Sequence, residues 1–183
     1  GPVTVKNRIF QTAHGPMPRT VAHEIWRHVH TTDPEDGSPL PHPDVLEYYE
    51  ERARGGAGLL IQGHVEVLKG HSGRWHLTTD TATDAFVPLL ERVHSHGCKM
   101  FVQLHCGMTS PSGTPGAGYL GIDGIPEVLD KDGIRHVVEM VGLSTRNAAR
   151  AGFDGIELHA AHLHSVGLFL SGFTNRRTDE YGG

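Results

Sequence analysis

Short apolar runs alternate with helical patterns four times along these 183 residues, and this alternation constrains the fold most. Leu59–Gln62 is an unalternating apolar run, which is typical of a strand covered on both faces. Strands separated by helices pair in parallel, so the sequence predicts βαβ units of an α/β protein. The expected strands are Val3–Ala13, Leu59–Gln62, Lys99–Leu104 and Phe153–Leu158.

Three helical patterns separate these strands, and long irregular stretches follow the strands. The predicted helices are Pro43 to about Arg54, Asp84–His96 and about Gly133 to Arg150. The stretches without periodicity are Gly15–Pro43, His64–Thr79 and Gly107–Pro126. Such long loops after strands are typical of the rim of an active site.

Composition excludes several classes of function. The formal charge of -5 and the absence of a Lys/Arg-rich block argue against nucleic acid as a partner. No apolar run approaches the roughly 18 residues of a membrane span, and Gly1-Pro2 does not begin a secretory signal, so a cytoplasmic location is expected. Cys98 and Cys106 are too few for a disulfide framework and are expected to be reduced thiols.

The last predicted strand ends in three closely spaced histidines, His159, His162 and His164. Parallel strands deliver side chains into a site at their carboxyl ends. Since His159 and His162 are three residues apart, their imidazoles can reach one small volume and stabilise developing charge on a carbonyl or nitro oxygen. Structural histidines and metal ligands are the alternative interpretations of this pair.

Four motifs in order resemble the old yellow enzyme family, FMN-dependent oxidoreductases built on a TIM (β/α)8 barrel. They are VKNRIFQTAH (5–14), YYEERARGGAGLLIQG (48–63), FVQLHCG (101–107) and AGFDGIELHAAHLHSVGLFLSGFTNRRTDEYGG (151–183). The resemblance implies that residues 1–183 form the N-terminal half of an FMN-binding barrel domain, its first four βα units. A complete barrel takes about 250 residues, so the second half is expected in the same or another chain.

The same resemblance implies cofactor contacts at the ends of the first three strands. Gln103 matches the glutamine that binds the flavin's pyrimidine edge, a task that suits an amide because it offers both a donor and an acceptor. The expected cofactor-binding residues are Thr12, Ala13, His14, Gly63 and Gln103. Loops after strands seven and eight usually hold the cofactor's phosphate, so this chain alone is not expected to hold FMN tightly.

Two positions depart from the family pattern. His164 stands where the family usually carries a tyrosine that protonates the substrate, and its reference pKa is roughly 6.5 against about 10 for tyrosine. Ordinary ene-reduction is thereby put in doubt. Gly15 stands where the amine dehydrogenases of the family have a cysteine bonded to FMN, so non-covalent FMN is expected.

The implied function is FMN-dependent hydride transfer between flavin and an activated alkene or carbonyl-type small molecule, with NAD(P)H as electron donor and His159, His162 and His164 as catalytic residues. An amine dehydrogenase or N-demethylase is the alternative, favoured by QTAH (11–14) and by His164. A metal-dependent hydrolase using the HxxHxH histidines also stays open. It is disfavoured because Glu157, the one acidic residue near the motif, is expected to point elsewhere.

The last alternative is a non-catalytic half-barrel subunit. A half-barrel leaves strand edges open, and open edges recruit other strands. The strands that would cover the other side of its interior would also be missing. The residues expected to face that interior are Phe101, Leu104, Ile156 and Leu158. Association is therefore predicted for the isolated chain, including a homo-oligomer.

Overall fold

The computed structural model describes residues 2–14, 32, 34, 37, 40–68, 75–107, 109–110, 127–162 and 164–182. Its strands are Phe10–His14 (β1), Leu59–Glu66 (β2), Lys99–His105 (β3), Thr109–Ser110 (β4), Glu127–Val128 (β5) and Gly155–Leu158 (β6). Its helices are Pro43–Arg54 (α1), Asp80–Asp84 (α2), Val87–Ser95 (α3), Lys131–Ala151 (α4) and Ser165–Leu170 (α5). A four-stranded parallel sheet has the order β1-β2-β3-β6, which confirms the predicted βαβ units.

Two helices follow their sequence signals closely. Helix α1 spans Pro43–Arg54 as predicted, because proline is tolerated in the first turn and the His42 side chain accepts a hydrogen bond from the Asp44 amide at 3.2 Å. Helix α4 begins two residues before the predicted start, since the Asp130 carboxylate caps the Gly133 amide at 2.7 Å. It ends at Ala151 and is capped by Gly152, whose φ of 107° favours glycine.

Other boundaries were wrong by a few residues. Strand β1 begins at Phe10 and not at Val3, because the Asn7 side chain forms a local turn by accepting from the Ile9 amide at 3.0 Å. The predicted helix Asp84–His96 corresponds to α3, which begins three residues later at Val87, and the short helix α2 precedes it. The Thr79 hydroxyl caps α2, and Pro88 in the first turn of α3 starts a separate helix.

The prediction that an irregular stretch begins at His64 was also wrong. Strand β2 continues to Glu66, which pairs in register with His105. The Glu66 amide additionally donates to the Trp75 carbonyl at 2.8 Å. Much of the predicted loops at 15–43 and 107–126 lies outside the described residues.

The two faces of the sheet have different surroundings. Met100, Val102 and Leu104 are fully buried on the face that packs against the helices, with Tyr49 and Phe86 in the same core. The opposite face corresponds to the barrel interior and carries the register pairs Phe101 with Gly155 and Gln103 with Glu157.

The face assignment of three apolar residues was therefore wrong. Val102 pairs with Ile156 and Leu104 with Leu158, so Leu104, Ile156 and Leu158 lie on the helix side of the sheet. Of the four residues expected in the interior, only Phe101 lies there. Within the described ranges, no helix combines the length and the apolar character that a membrane crossing requires.

Tyr49 joins the ends of β1 and β2. Its fully buried hydroxyl donates to the His14 carbonyl and accepts from the Gly63 amide, both at 3.1 Å. Replacement by phenylalanine removes the hydroxyl and leaves both the His14 carbonyl and the Gly63 amide without this hydrogen bond. Leaving buried polar groups unsatisfied costs roughly 1–3 kcal/mol. We therefore expect Tyr49→Phe to lower the free energy of unfolding by about that amount in urea titrations of the purified protein.

Tyr48→Phe is the matched control for Tyr49→Phe. Tyr48 is half-buried, and its hydroxyl has a long contact of 3.5 Å with the Gln11 side chain. Loss of so weak a contact is expected to change stability by no more than about 0.5 kcal/mol. Equal losses in the two variants would contradict the assigned role of the Tyr49 hydroxyl.

Candidate functional site

The three histidines predicted from the sequence come together at the carboxyl end of β6. His159 follows the last residue of that strand, and its amide still donates to the Leu104 carbonyl at 2.9 Å, which fixes its backbone against β3. Nδ1 of His162 lies 3.4 Å from Nε2 of His159. Two imidazoles thus share the small volume that the spacing predicted.

His162 has an unusual backbone conformation. Its φ is 57°, and within the described part of the chain no other non-glycine residue has a positive φ. This left-handed conformation is disfavoured for residues with a Cβ and occurs preferentially at functional sites. Here it accompanies the placement of the His162 ring against His159, with centroids 5.2 Å apart.

His164 lies at the other side of His159, directly before helix α5. Its amide donates to the Ala161 carbonyl at 3.1 Å, and its ring meets the ring of His105 edge to face at 4.3 Å. The Ser165 hydroxyl contacts the carbonyls of Cys106 and Gly107 at 3.0 and 2.7 Å. The start of α5 is therefore tied to the end of β3, which holds His164 beside His105.

The sequence interpretation missed three members of this site, His64, Glu66 and His105. Nδ1 of His105 lies 2.9 and 2.8 Å from the two carboxylate oxygens of Glu66, and both side chains are buried. The His64 ring centroid is 4.8 Å from that of His105. Alternation along β3 places His105 on the same face as Gln103, a signal that was available in the sequence. Glu66 was missed because β2 was ended at Gln62.

Gln103 and Glu157 face each other on the interior side of the sheet. Nε2 of Gln103 donates to Oε1 of Glu157 at 2.5 Å, across register partners of β3 and β6. The expectation that Glu157 points elsewhere was therefore wrong, because it shares the interior face with Gln103. The amide nitrogen of Gln103 is engaged with Glu157, and contact of its carbonyl oxygen with a flavin edge stays a prediction.

The remaining predicted cofactor contacts lie in the second part of β1 and near the middle of β2. Thr12 and His14 are exposed, and Ala13 is half-buried. The His14 carbonyl and the Gly63 amide are both bound to the Tyr49 hydroxyl. Gly15, the position that bears on covalent attachment, lies outside the described residues.

Burial controls the ionisation of two groups here. Desolvation, followed by the nearby charges of His105 and His162, lowers the pKa of His159, which favours a neutral imidazole with one N–H donor. Burial, followed by the charge of Glu66, raises the pKa of Cys106 to about 11. A thiol of that pKa is protonated at neutral pH, which supports a packing role for Cys106 beside His105.

Comparison with known proteins decides the family. The profile of the NADH:flavin oxidoreductase / NADH oxidase family matches residues 1–183. The chain belongs to this family. An NADH oxidase of Thermoanaerobacter brockii is 34% identical over all of this chain and 28% of its own length. An N,N-dimethylglycine/sarcosine dehydrogenase of Chromohalobacter salexigens is 31% identical over all of this chain and 26% of its own length.

Comparison with a solved structure identifies the fold of this member of the NADH:flavin oxidoreductase family. The old yellow enzyme homologue from Zymomonas mobilis superposes with a TM-score of 0.75 and 26% identity, covering 100% of this chain and 52% of the other. The chain thus has the fold of part of a (β/α)8 barrel and spans about half the length of that structure. The four-stranded parallel sheet corresponds to the predicted first four βα units.

Proposed function

We propose that this chain forms the flavin- and substrate-binding half of an FMN-dependent oxidoreductase. Hydride would move between the flavin and an activated alkene, with NAD(P)H as the electron donor. The observation that carries this proposal is the His159–His162 pair, whose ring nitrogens lie 3.4 Å apart at the carboxyl end of β6. Family membership over residues 1–183 supports it independently.

The residues at the strand ends fit a flavin ring. The interior face of β1 is accessible, since Thr12 is exposed and Phe10 is 58% exposed. The Gln103 carbonyl oxygen offers an acceptor for a ring N–H. Because the His14 carbonyl and the Gly63 amide are engaged by Tyr49, these two residues would contact the ring by packing and not through those groups. FMN, when bound, supplies the site that accepts and releases hydride.

His159 and His162 would orient the substrate by donating hydrogen bonds to its carbonyl or nitro oxygen. A neutral His159, favoured by its lowered pKa, keeps one N–H for this purpose. Preorganised donors of this kind stabilise the negative charge that develops on the oxygen during hydride transfer. The strained backbone of His162, with its φ of 57°, holds the second donor near the first.

His164 would supply the proton to the substrate carbon. It takes the position of the family's tyrosine, and its ring lies 4.8 Å from that of His159 by centroid distance. Histidine exchanges protons near neutral pH, so this residue can both donate a proton and regain one from solvent. The remaining half of the barrel is expected to complete the phosphate site.

Oxidation of an N-methyl amine is the second candidate function. The relative from Chromohalobacter salexigens is a dimethylglycine/sarcosine dehydrogenase and is 31% identical over all of this chain. In that direction FMN, when bound, would supply the acceptor for the hydride of the carbon beside nitrogen. A histidine at position 164 is compatible with this reaction because no carbon needs to be protonated.

Anaerobic flavin spectroscopy on the protein assembled with the second half of its barrel tests both candidates, because this chain alone is not expected to hold FMN tightly. Under the first, NADH or NADPH bleaches the flavin band and 2-cyclohexenone restores it. Under the second, sarcosine or dimethylglycine bleaches the band directly. A protein without flavin absorbance, or one whose flavin band is bleached by none of NADH, NADPH, sarcosine and dimethylglycine, would overturn both.

We also expect the flavin to be bound non-covalently, because Gly15 offers no nucleophile for a bond to the ring. Acid precipitation of the protein assembled with the second half of its barrel should release all of its flavin into the supernatant. Absorbance of the supernatant and pellet gives the result directly. Yellow colour retained in the washed pellet would show that another residue forms the bond.

A further inference from the structure

The histidine cluster has the composition of a metal site, which the flavin chemistry does not require. A ring nitrogen from each of His105, His159 and His164 lies within 4.8 Å of the others. Three imidazoles with one open position are a common ligand set for Zn²⁺, and neutral imidazole suits Zn²⁺, Cu²⁺ and Ni²⁺.

His105 is the best-prepared ligand of the three. Its Nδ1 is bound by both oxygens of Glu66, at 2.9 and 2.8 Å. Its Nε2 is buried and has no hydrogen-bond partner among the described residues. A carboxylate on the far nitrogen fixes the tautomer and the orientation of a metal-binding histidine and raises its basicity.

We propose that Nε2 of His105 and one ring nitrogen each of His159 and His164 bind a divalent ion of the zinc class, with Glu66 holding His105 in position. Tetrahedral Zn²⁺ with bonds of roughly 2.0–2.1 Å keeps its ligand nitrogens about 3.4 Å apart. The ligand nitrogens, which lie within 4.8 Å of one another, would therefore approach by side-chain rotation. His159 and His164 are half-buried, which leaves room for it.

A second ligand set, His64, Glu66 and His105, shares the buried histidine. It is less favourable because an ion would have to enter between Glu66 and His105, whose ligand atoms are already 2.8 Å apart. Two atoms sharing a tetrahedral zinc ion are separated by about 3.3 Å. Metal binding there would break the carboxylate–imidazole contact, whereas the proposed set keeps it.

The proposed metal site and the proposed flavin mechanism both use the imidazole of His159. His159 cannot coordinate an ion and donate from the same nitrogen to a substrate oxygen. Zinc binding is therefore expected to compete with substrate and to slow reoxidation of the flavin by 2-cyclohexenone. Binding itself does not depend on the flavin function, because all of its ligands belong to this chain.

Calorimetric titration of the chelator-treated, purified protein with ZnCl₂ tests the proposal. One equivalent is expected to bind, and Co²⁺ in its place should give the visible bands of a tetrahedral site. Loss of an outer partner costs roughly 10–100-fold in metal affinity, so Glu66→Gln should weaken binding by that factor. His105→Ala and His164→Ala should weaken it further.

His136→Ala and His64→Ala are the controls, since His136 is exposed on α4 outside the cluster and His64 belongs only to the second ligand set. Both variants should bind Zn²⁺ as the parent does. Because His105 is buried, His105→Ala could fail to fold, which circular dichroism would show. In that case the comparison of His164→Ala with the parent tests the proposal. The proposal is overturned if the parent binds no Zn²⁺, if His164→Ala binds normally, or if either control abolishes binding.

Discussion

Replacement of His159 by alanine is expected to slow the substrate half-reaction by roughly 10²–10³, because it removes one preorganised donor to the substrate oxygen. This factor corresponds to about 2.7–4 kcal/mol of lost transition-state stabilisation. His162→Ala should have an effect of the same order, since its ring shares the volume beside His159. Stopped-flow measurement of flavin reoxidation by 2-cyclohexenone gives the rate for each variant.

The two half-reactions provide the internal comparison. NAD(P)H presents a hydride and no carbonyl oxygen that must accumulate charge, so flavin reduction should be affected less than reoxidation. His136→Ala is the control variant, because His136 is exposed on α4, outside the histidine cluster. Equal losses in both half-reactions would indicate lost cofactor or misfolding and would contradict the assigned role.

The order of strands and helices could be predicted from the sequence because each element carries a local signal. Helix α1 has proline at its start and a glycine after its end, and its predicted bounds, Pro43–Arg54, are those observed. The convergence of His159, His162 and His164 was also predictable, since all three follow one strand within six residues. Their roles in catalysis stay predictions.

The contribution of the neighbouring strands could not be predicted in the same way. Glu66 meets His105 across two strands, and their pairing depends on a register shift in β2 between Gln62 and Val65. A one-residue shift in register exchanges the faces of a strand. Gly63 lies at the bulge, but a glycine there fits the end of a strand equally well, so the sequence does not decide between the two. The wrong assignments of Glu157, Ile156 and Leu158 to faces had another cause, since β3 and β6 pair without a register shift. Alternation along β6 places Glu157 on the face of His159 and opposite to Ile156 and Leu158.

The isolated 183-residue chain is expected to associate in solution. Strand β6 forms one edge of the described sheet, and Ile156 and Leu158 remain 36% and 40% exposed on its helix side. Leu170 and Phe173 near helix α5 are 75% and 68% exposed. Apolar surface beside an unpaired strand edge favours pairing with another chain.

Light scattering after size exclusion gives the mass of the isolated chain. We expect a dimer or larger species for the parent, against 19.9 kDa for a monomer. The double variant Ile156→Lys with Leu158→Lys places two charges on the apolar side of β6, which should shift the population strongly toward monomer. Val138→Lys is the control, because Val138 is 63% exposed on α4 and lies away from the strand edge. A parent that is a compact monomer with cooperative unfolding would show that these four strands and their helices form a closed unit by themselves.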